Sequence, residues 1–187
     1  MSMSRVMCDF CDTESASLFK VSRSLEYKGD LLTVEGYHVH RCDNCEEQFT
    51  TAADARVNER LFLDAKRKYD GLMTGSEIVD WRRKLGISQD LASQLFGGGK
   101  NAFSKYERSE VSQSVAADRL MRIAELYPAV LFDLARMQNV CLPQHLHSWR
   151  AHEAMPMLIN LPAPTNSWAV QVVPGNSNSY KGLFGTC

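Results

Sequence analysis

The chain lacks most of the features that place a protein at a glance. It has no long hydrophobic run: nothing in its 187 residues approaches the ~20 apolar residues of a membrane span. Its N-terminal stretch lacks the apolar core of a secretory signal, because Cys8, Asp9 and Cys11 follow at once. These absences lead to the expectation of a cytoplasmic protein with no membrane partner. There is no excess of charge of either sign, since 21 Lys and Arg against 22 Asp and Glu leave a net charge of −1. Bulk charge therefore points to no polyanionic partner, and any basic surface must come from local clustering, as at Arg82-Arg83-Lys84. Proline is nearly absent before residue 139, with Pro128 the sole exception, so glycine does most of the punctuation there. No Ser/His/Asp arrangement or carboxylate pair comes with supporting context, and the expectation is that the chain is not an enzyme.

What is present is more specific. Four of the six cysteines form Cys8-x-x-Cys11 and Cys42-x-x-Cys45, with 30 residues between the pairs. In a reducing compartment that pattern favours a metal over disulfides. Each pair fits a tight knuckle that aims two thiolates at one point. Four thiolates satisfy tetrahedral Zn²⁺ with no open position, so the spacing predicts one structural zinc per chain. Two rivals stay open at this point: a redox-active pair, for which no thioredoxin-like βαβ context is seen, and substitution of a ligand by His38 or His40. Cys141 and Cys187 stand alone and read as free thiols.

Around the knuckles, Leu18–Arg23 and Thr33–Arg41 read as strands, with Lys28-Gly29-Asp30 as the turn. Thr51 to Tyr69 reads as a helix, started by Thr51 with Asp54 and ended by Gly71. Asp70 to Gly75 is then the expected boundary between residues 1–73, a zinc-stapled β-ribbon with one helix, and residues 74–138, an all-helical domain. Five short helices are expected in the second part, with Thr74-x-x-Glu77 capping the first, Ser114 capping the fourth and Pro128 opening the fifth. On the fourth, Ala116, Leu120, Ile123, Ala124 and Tyr127 are the expected core face. The predicted fold class is α+β.

The centre of the second part is Ser88 to Ser109, SQDLASQLFGGGKNAFSKYERS. Leu91, Ala92, Leu95 and Phe96 give a short helix one buried face. Gly97-Gly98-Gly99 breaks it, and a second helix is expected from Lys100 to Arg108 with Phe103 and Tyr106 turned inward. Its outward stripe is Lys100, Asn101, Ser104, Lys105 and Arg108. That arrangement reads as a helix-turn-helix, the alternative being an ordinary helix pair with a solvated face. Asn101 can pair bidentately with adenine and Lys105 can donate to guanine, one helical turn apart. Lys100, Ser104 and Arg108 are expected on phosphates. A two-fold pair of such domains reads half-sites about 34–36 Å apart. The last two helices are dimer candidates, though they equally fit closure of the core. Residues 139–187 hold five of the six prolines and form a C-terminal extension without an assigned role. Leu158–Leu161 and Trp168–Val173 are candidate strands in it.

The two knuckles at this spacing, Cys42-x-x-Cys45-Glu46-Glu47, and Phe96-Gly97-Gly98-Gly99-x-Asn101-Ala102-Phe103-Ser104-Lys105-Tyr106-Glu107 together resemble the MqsA family of antitoxins, over residues 7 to about 138. The resemblance implies a zinc-binding N-terminal domain that engages a toxin of the MqsR ribonuclease type. It also implies a C-terminal dimer that binds a palindromic operator upstream of the toxin–antitoxin operon. The family's base-reading asparagine matches Asn101. Its second base-reading residue is an arginine, and Lys105 stands at that position here. Residues 139–187 have no counterpart in the short family members. The alternative reading is a stand-alone zinc-containing helix-turn-helix regulator of mobile-element or phage type, with a different partner.

Overall fold

The computed structural model describes residues 5–150. They form a mixed structure in which a three-stranded antiparallel sheet precedes seven helices. Strands β1 (Ala16–Tyr27) and β2 (Asp30–Cys42) make a hairpin, and β3 (Gln48–Phe49) pairs with the end of β2. The hairpin runs further than the alternation of its residues indicates. Lys28 and Gly29 both take positive φ, 55° and 91°, the geometry of a two-residue primed turn whose twist matches the strands. Asp30 thereby joins β2 opposite Tyr27, and pairing continues through Leu25 and Leu32. One extra residue on β2 between Val34 and Tyr37 makes a bulge opposite Arg23 and Val21. β1 is an edge strand, and Leu18, Phe19 and Val21 on it are exposed.

Helix α1 (Ala52–Tyr69) lies against β2. Thr51 caps it by accepting from the Asp54 amide. At its far end the hairpin tip is fastened: Tyr27 and Lys28 bond Asp70 at 2.8 and 2.6 Å, Tyr69 bonds Asp30, and the Tyr27 and Tyr69 rings meet edge-on at 5.7 Å.

Helices α2 (Gly75–Lys84), α3 (Gln89–Phe96), α4 (Ala102–Glu107), α5 (Val115–Leu126) and α6 (Ala129–Gln138) follow. The Thr74–Glu77 capping box forms in full, and Ser88 and Ser114 cap α3 and α5. Pro128 sits one residue before α6 rather than as its first residue. The core gathers on Trp81, whose ring meets Phe96 at 5.1 Å and Phe103 at 6.0 Å, while its Nε1 donates to the Met121 carbonyl. Buried Ile78, Leu85, Leu95, Met121, Ala124 and Leu131 complete it.

The buried face of α5 differs from expectation. Met121, Ala124 and Asp118 turn inward, whereas Ile123 and Tyr127 are exposed. The cause is polar: the Asp118 carboxylate accepts from the Met73 amide at 2.8 Å and from Gln113 at 3.0 Å. That fixes the rotation of the helix against the apolar periodicity. Helix α4 also begins later than expected, so Lys100 and Asn101 precede it and Arg108 caps its end.

The chain divides into two compact units, Met1–Val140 and Cys141–Cys187. The described part of the second holds the short helix α7 (Gln144–Arg150). Cys141 is disulfide-bonded, which corrects its reading as a free thiol, since spacing along a chain does not say which thiols meet. Cys187 and the candidate strands at 158–161 and 168–173 lie outside the described residues.

Gly75, the first residue of α2, leaves no room for a side chain. A Cβ there would stand 2.4 Å from Ser109 Oγ, 2.7 Å from the Glu107 carbonyl and 3.0 Å from that of Tyr106. Two of these neighbours are backbone and cannot swing away. Gly75→Ala is therefore expected to destabilise the chain by about 1–3 kcal/mol through overpacking, read as a lowered denaturation midpoint. An unchanged midpoint would mean that the ends of α2 and α4 are not in contact.

Candidate metal centre and nucleic-acid interface

The two cysteine pairs fold by the same local rule. In the first knuckle the Cys8 amide donates to the Thr13 carbonyl and the Asp12 amide to the Cys8 carbonyl. In the second, the Cys42 amide donates to Glu47 and the Glu46 amide to Cys42. The residue after each second cysteine takes the left-handed conformation, Asp12 at φ 54° and Glu46 at φ 60°. Each turn presents its two sulfurs to one side, and the β1–β2 pairing of Ala16 with Cys42 brings the two turns face to face.

All four sulfurs lie within 4.8 Å of one another, with Cys8–Cys45 and Cys11–Cys42 both at 3.6 Å. A tetrahedron with Zn–S bonds near 2.3 Å has edges of about 3.8 Å, so the donor set fits that ion. Hydroxyls support the sulfurs: Ser15 Oγ lies 3.1 Å from Cys42 Sγ and Thr13 Oγ1 3.1 Å from Cys11 Sγ. The Ser15 hydroxyl, with nearby amides, draws the Cys42 thiol down to about 5. Thr13 chiefly lowers Cys11. Cys45 moves the other way. The Glu47 amide favours its thiolate, but burial and the three neighbouring sulfurs outweigh that and push it up to about 12. Four sulfurs this close cannot all ionise unaided, and a divalent cation removes the conflict.

His38 and His40 turn elsewhere. His38 Nδ1 and His40 Nε2 each meet one oxygen of Asp54, at 2.9 Å. Asn58 adds a two-way bond to the His38 backbone, at 2.7 and 2.9 Å. Among the described residues the possible ligand group is the four cysteines alone. Asp54, Asn58 and the histidines instead clasp α1 to β2, a role missed in the sequence. The available signal was Asp54 and Asn58 at i,i+4, facing alternate residues of a strand. Burial opposes ionisation of Asp54, but the Thr51 hydroxyl and the two imidazoles outweigh it and hold the carboxyl below its ordinary value. Its contribution to stability is thus present above the ordinary carboxylate range and lost as pH falls below it. Asp54→Asn is expected to cost about 1–3 kcal/mol at neutral pH and to flatten the acid limb of a stability–pH curve. An unchanged acid limb would mean that the clasp adds nothing.

In the helical half, α3 and α4 are held at a fixed angle from beneath. Arg82 grips Glu107 with two nitrogens, Gln89 adds a bond to the same carboxylate at 2.6 Å, and Arg82 Nη1 donates to the Ile87 carbonyl. Between the helices Gly97, Gly98 and Gly99 have φ of 81°, 91° and 88°. Gly98 is doubly constrained, because a Cβ there would stand 2.8 Å from both Ala102 Cβ and the Tyr106 hydroxyl.

On the outer face, Lys100, Asn101 and Lys105 are exposed and have no partner among the described residues. Ser104 and Arg108 are engaged. Arg108 bonds Ser104 Oγ and grips Glu110 at 2.9 and 3.1 Å, and Arg60 reaches the same carboxylate at 3.0 Å. The stripe of five expected contact residues thus divides into three open donors and a bonded pair, Ser104 and Arg108, of which Arg108 is held by Glu110.

A family model described as the antitoxin component of bacterial toxin–antitoxin systems, MqsA, matches residues 6–135. Antitoxin MqsA of Escherichia coli (strain K12) is 28% identical over 109 residues, which span 58% of this chain and 83% of that protein. No helix among the described residues is long and apolar enough to cross a membrane.

Proposed function

The chain belongs to the MqsA family, the antitoxin component of bacterial toxin–antitoxin systems, and from that premise we propose that it is a sequence-specific DNA-binding repressor. It neutralises a ribonuclease-type toxin through residues 1–73 and autoregulates its operon through residues 74–138, in the cytoplasm. The observation that carries the DNA part is the outer face of α4. Lys100, Asn101 and Lys105 lie open, without a side-chain partner among the described residues, on a helix pair braced from beneath by Arg82, Glu107 and Gln89. Asn101 and Lys105 have the donor and acceptor groups for base edges, and Lys100 suits a phosphate. Ser104 and Arg108 join as phosphate contacts when Arg108 leaves Glu110.

Three further features support the reading. The cysteine cluster suits a closed, structural zinc at Cys8, Cys11, Cys42 and Cys45. Ile123, Leu126, Tyr127 and Met137 on and beside α5 and α6 are exposed, which suits pairing with a second copy on a palindromic operator. The edge strand β1, with exposed Leu18, Phe19 and Val21, is a surface on which a protein toxin can dock.

The test is expression of the reading frame adjacent to this gene, alone and together with this chain. Growth arrest by the neighbour, relieved by the full chain and by residues 1–73, is the expected result. A neighbour that leaves growth unaffected removes the toxin from the proposal.

A further inference from the structure

The most deeply buried charge in the described residues is a guanidinium, and it lies where α1 meets the end of α4. The Arg67 side chain is 0% exposed. It sits on α1, outside every site described above, yet most of its bonds leave that helix. Nη1 donates to the Tyr106 carbonyl at 3.1 Å and to Ser109 Oγ at 3.3 Å, and Nη2 donates to the Val111 carbonyl at 2.6 Å. Its countercharge is Asp64, one turn back, at 3.0 Å. Asp64 in turn accepts from Ser109 Oγ at 2.8 Å and from the Gly75 amide at 3.1 Å.

We infer that Arg67, with Asp64, is a positioning pair for the DNA-reading helix, fixing the C-terminal end of α4 to α1. This rests on the reading of α4 as the element that meets DNA. Helix α4 has only six residues, so its end groups make up most of its backbone, and the last carbonyls need partners from outside. Its terminus closes with the Ser109 amide on Tyr106 and the Glu110 amide on Lys105. That pattern places Ser109 in the left-handed conformation, at φ 53°, where glycine is the usual residue. The strain of a serine there is offset because its hydroxyl is held by both Asp64 and Arg67. A positive charge at a helix C-terminus is also favourable in itself. Gly75 closes the third side, against the Glu107 and Tyr106 carbonyls. The orientation of Asn101 and Lys105 is therefore set partly by a residue of the cysteine half.

Fluorescence anisotropy on the full chain tests this, with two probes: a duplex of the region upstream of this gene and a scrambled duplex of the same composition. Arg67→Met keeps most of the apolar stem of the side chain and removes its donors. The expected result is a loss of about tenfold or more in preference for the upstream duplex, as for a hydrogen bond to a charged group. Affinity for the scrambled duplex and its salt dependence should stay as in wild type, because Lys100 and Lys105 are untouched. Undiminished preference in a folded Arg67→Met chain overturns the inference. If that variant does not fold, Ser109→Ala decides by the same ratio, since it removes the hydroxyl without stranding a charge. If wild type itself shows no preference, the DNA reading has failed, and amide hydrogen exchange decides instead. Faster exchange of residues 102–111 than of α2 and α3 in the variant supports the pair as a positioning device, and uniform exchange overturns it.

Discussion

Replacing Cys42 with serine is expected to abolish tight zinc binding and to unfold the two knuckles together. The apolar cluster at that end is small. Cys8, Ala16 and Cys42 are its buried members, with Val6, Cys11, Cys45 and Phe49 packed against them, so four of its seven residues are the cysteines themselves. Such a cluster cannot meet the ordering cost of the loops, about 1–2 kcal/mol per residue for backbone alone. A structural zinc contributes about 10–16 kcal/mol in small peptides, more than the whole stability of many domains. Removing the metal with a strong chelator should have the same result as the substitution. Metal analysis should give one zinc per chain in wild type, and all four thiols should become reactive in one step as it leaves. The outer hairpin should outlast the knuckles, because Tyr27, Lys28 and Asp30 are fastened to Tyr69 and Asp70 and β2 is clasped by Asp54 and Asn58. A chain that carries no metal, or that keeps its knuckles when stripped of it, would refute a structural zinc.

The features most legible in the sequence are those written in local spacing. Cys-x-x-Cys fixes a knuckle by itself, and two copies imply one centre. Thr74-x-x-Glu77, Ser88 and Ser114 mark helix starts because capping is decided within four residues. Three consecutive glycines force the turn between α3 and α4. Spacing fails where a distant polar partner decides. The face of α5 follows Asp118 and its bonds to Met73 and Gln113 rather than the pattern of Ile123 and Tyr127. His38 and His40 look like spare ligands until Asp54 is seen between them. Arg67 reads as part of a basic helix end, Lys66-Arg67-Lys68, and only the fold separates the buried member from its exposed neighbour Lys68. In the stripe along and beside α4, sequence could group five residues by helical phase. It could not foresee that Glu110 claims Arg108 while leaving Lys105 open.

Asn101→Ala is expected to remove specific recognition of the operator while leaving the fold intact. Asparagine before a helix ordinarily caps it, and losing such a cap costs roughly 1 kcal/mol. Here Asn101 has φ −109° and ψ 13° and makes no side-chain cap bond, so there is no cap for the alanine variant to lose. Its thermal midpoint should match wild type, which separates binding from stability. Each lost bidentate base contact costs about 1–3 kcal/mol, and a dimer on a palindrome loses two, or about 2–6 kcal/mol in all. Because Asn101 is neutral, the dependence of binding on salt should not change. Lys100→Ala should do the opposite: weaken binding to every sequence alike and reduce the salt slope by about one for each phosphate contact removed. One helical turn further on, Lys105→Arg supplies a planar fork in place of a point charge and should tighten binding to half-sites that present a guanine there. Binding isotherms for these variants at two salt concentrations are sufficient. If Asn101→Ala keeps the wild-type preference, α4 does not read bases through this residue, and the docking of its outer face on the major groove is wrong.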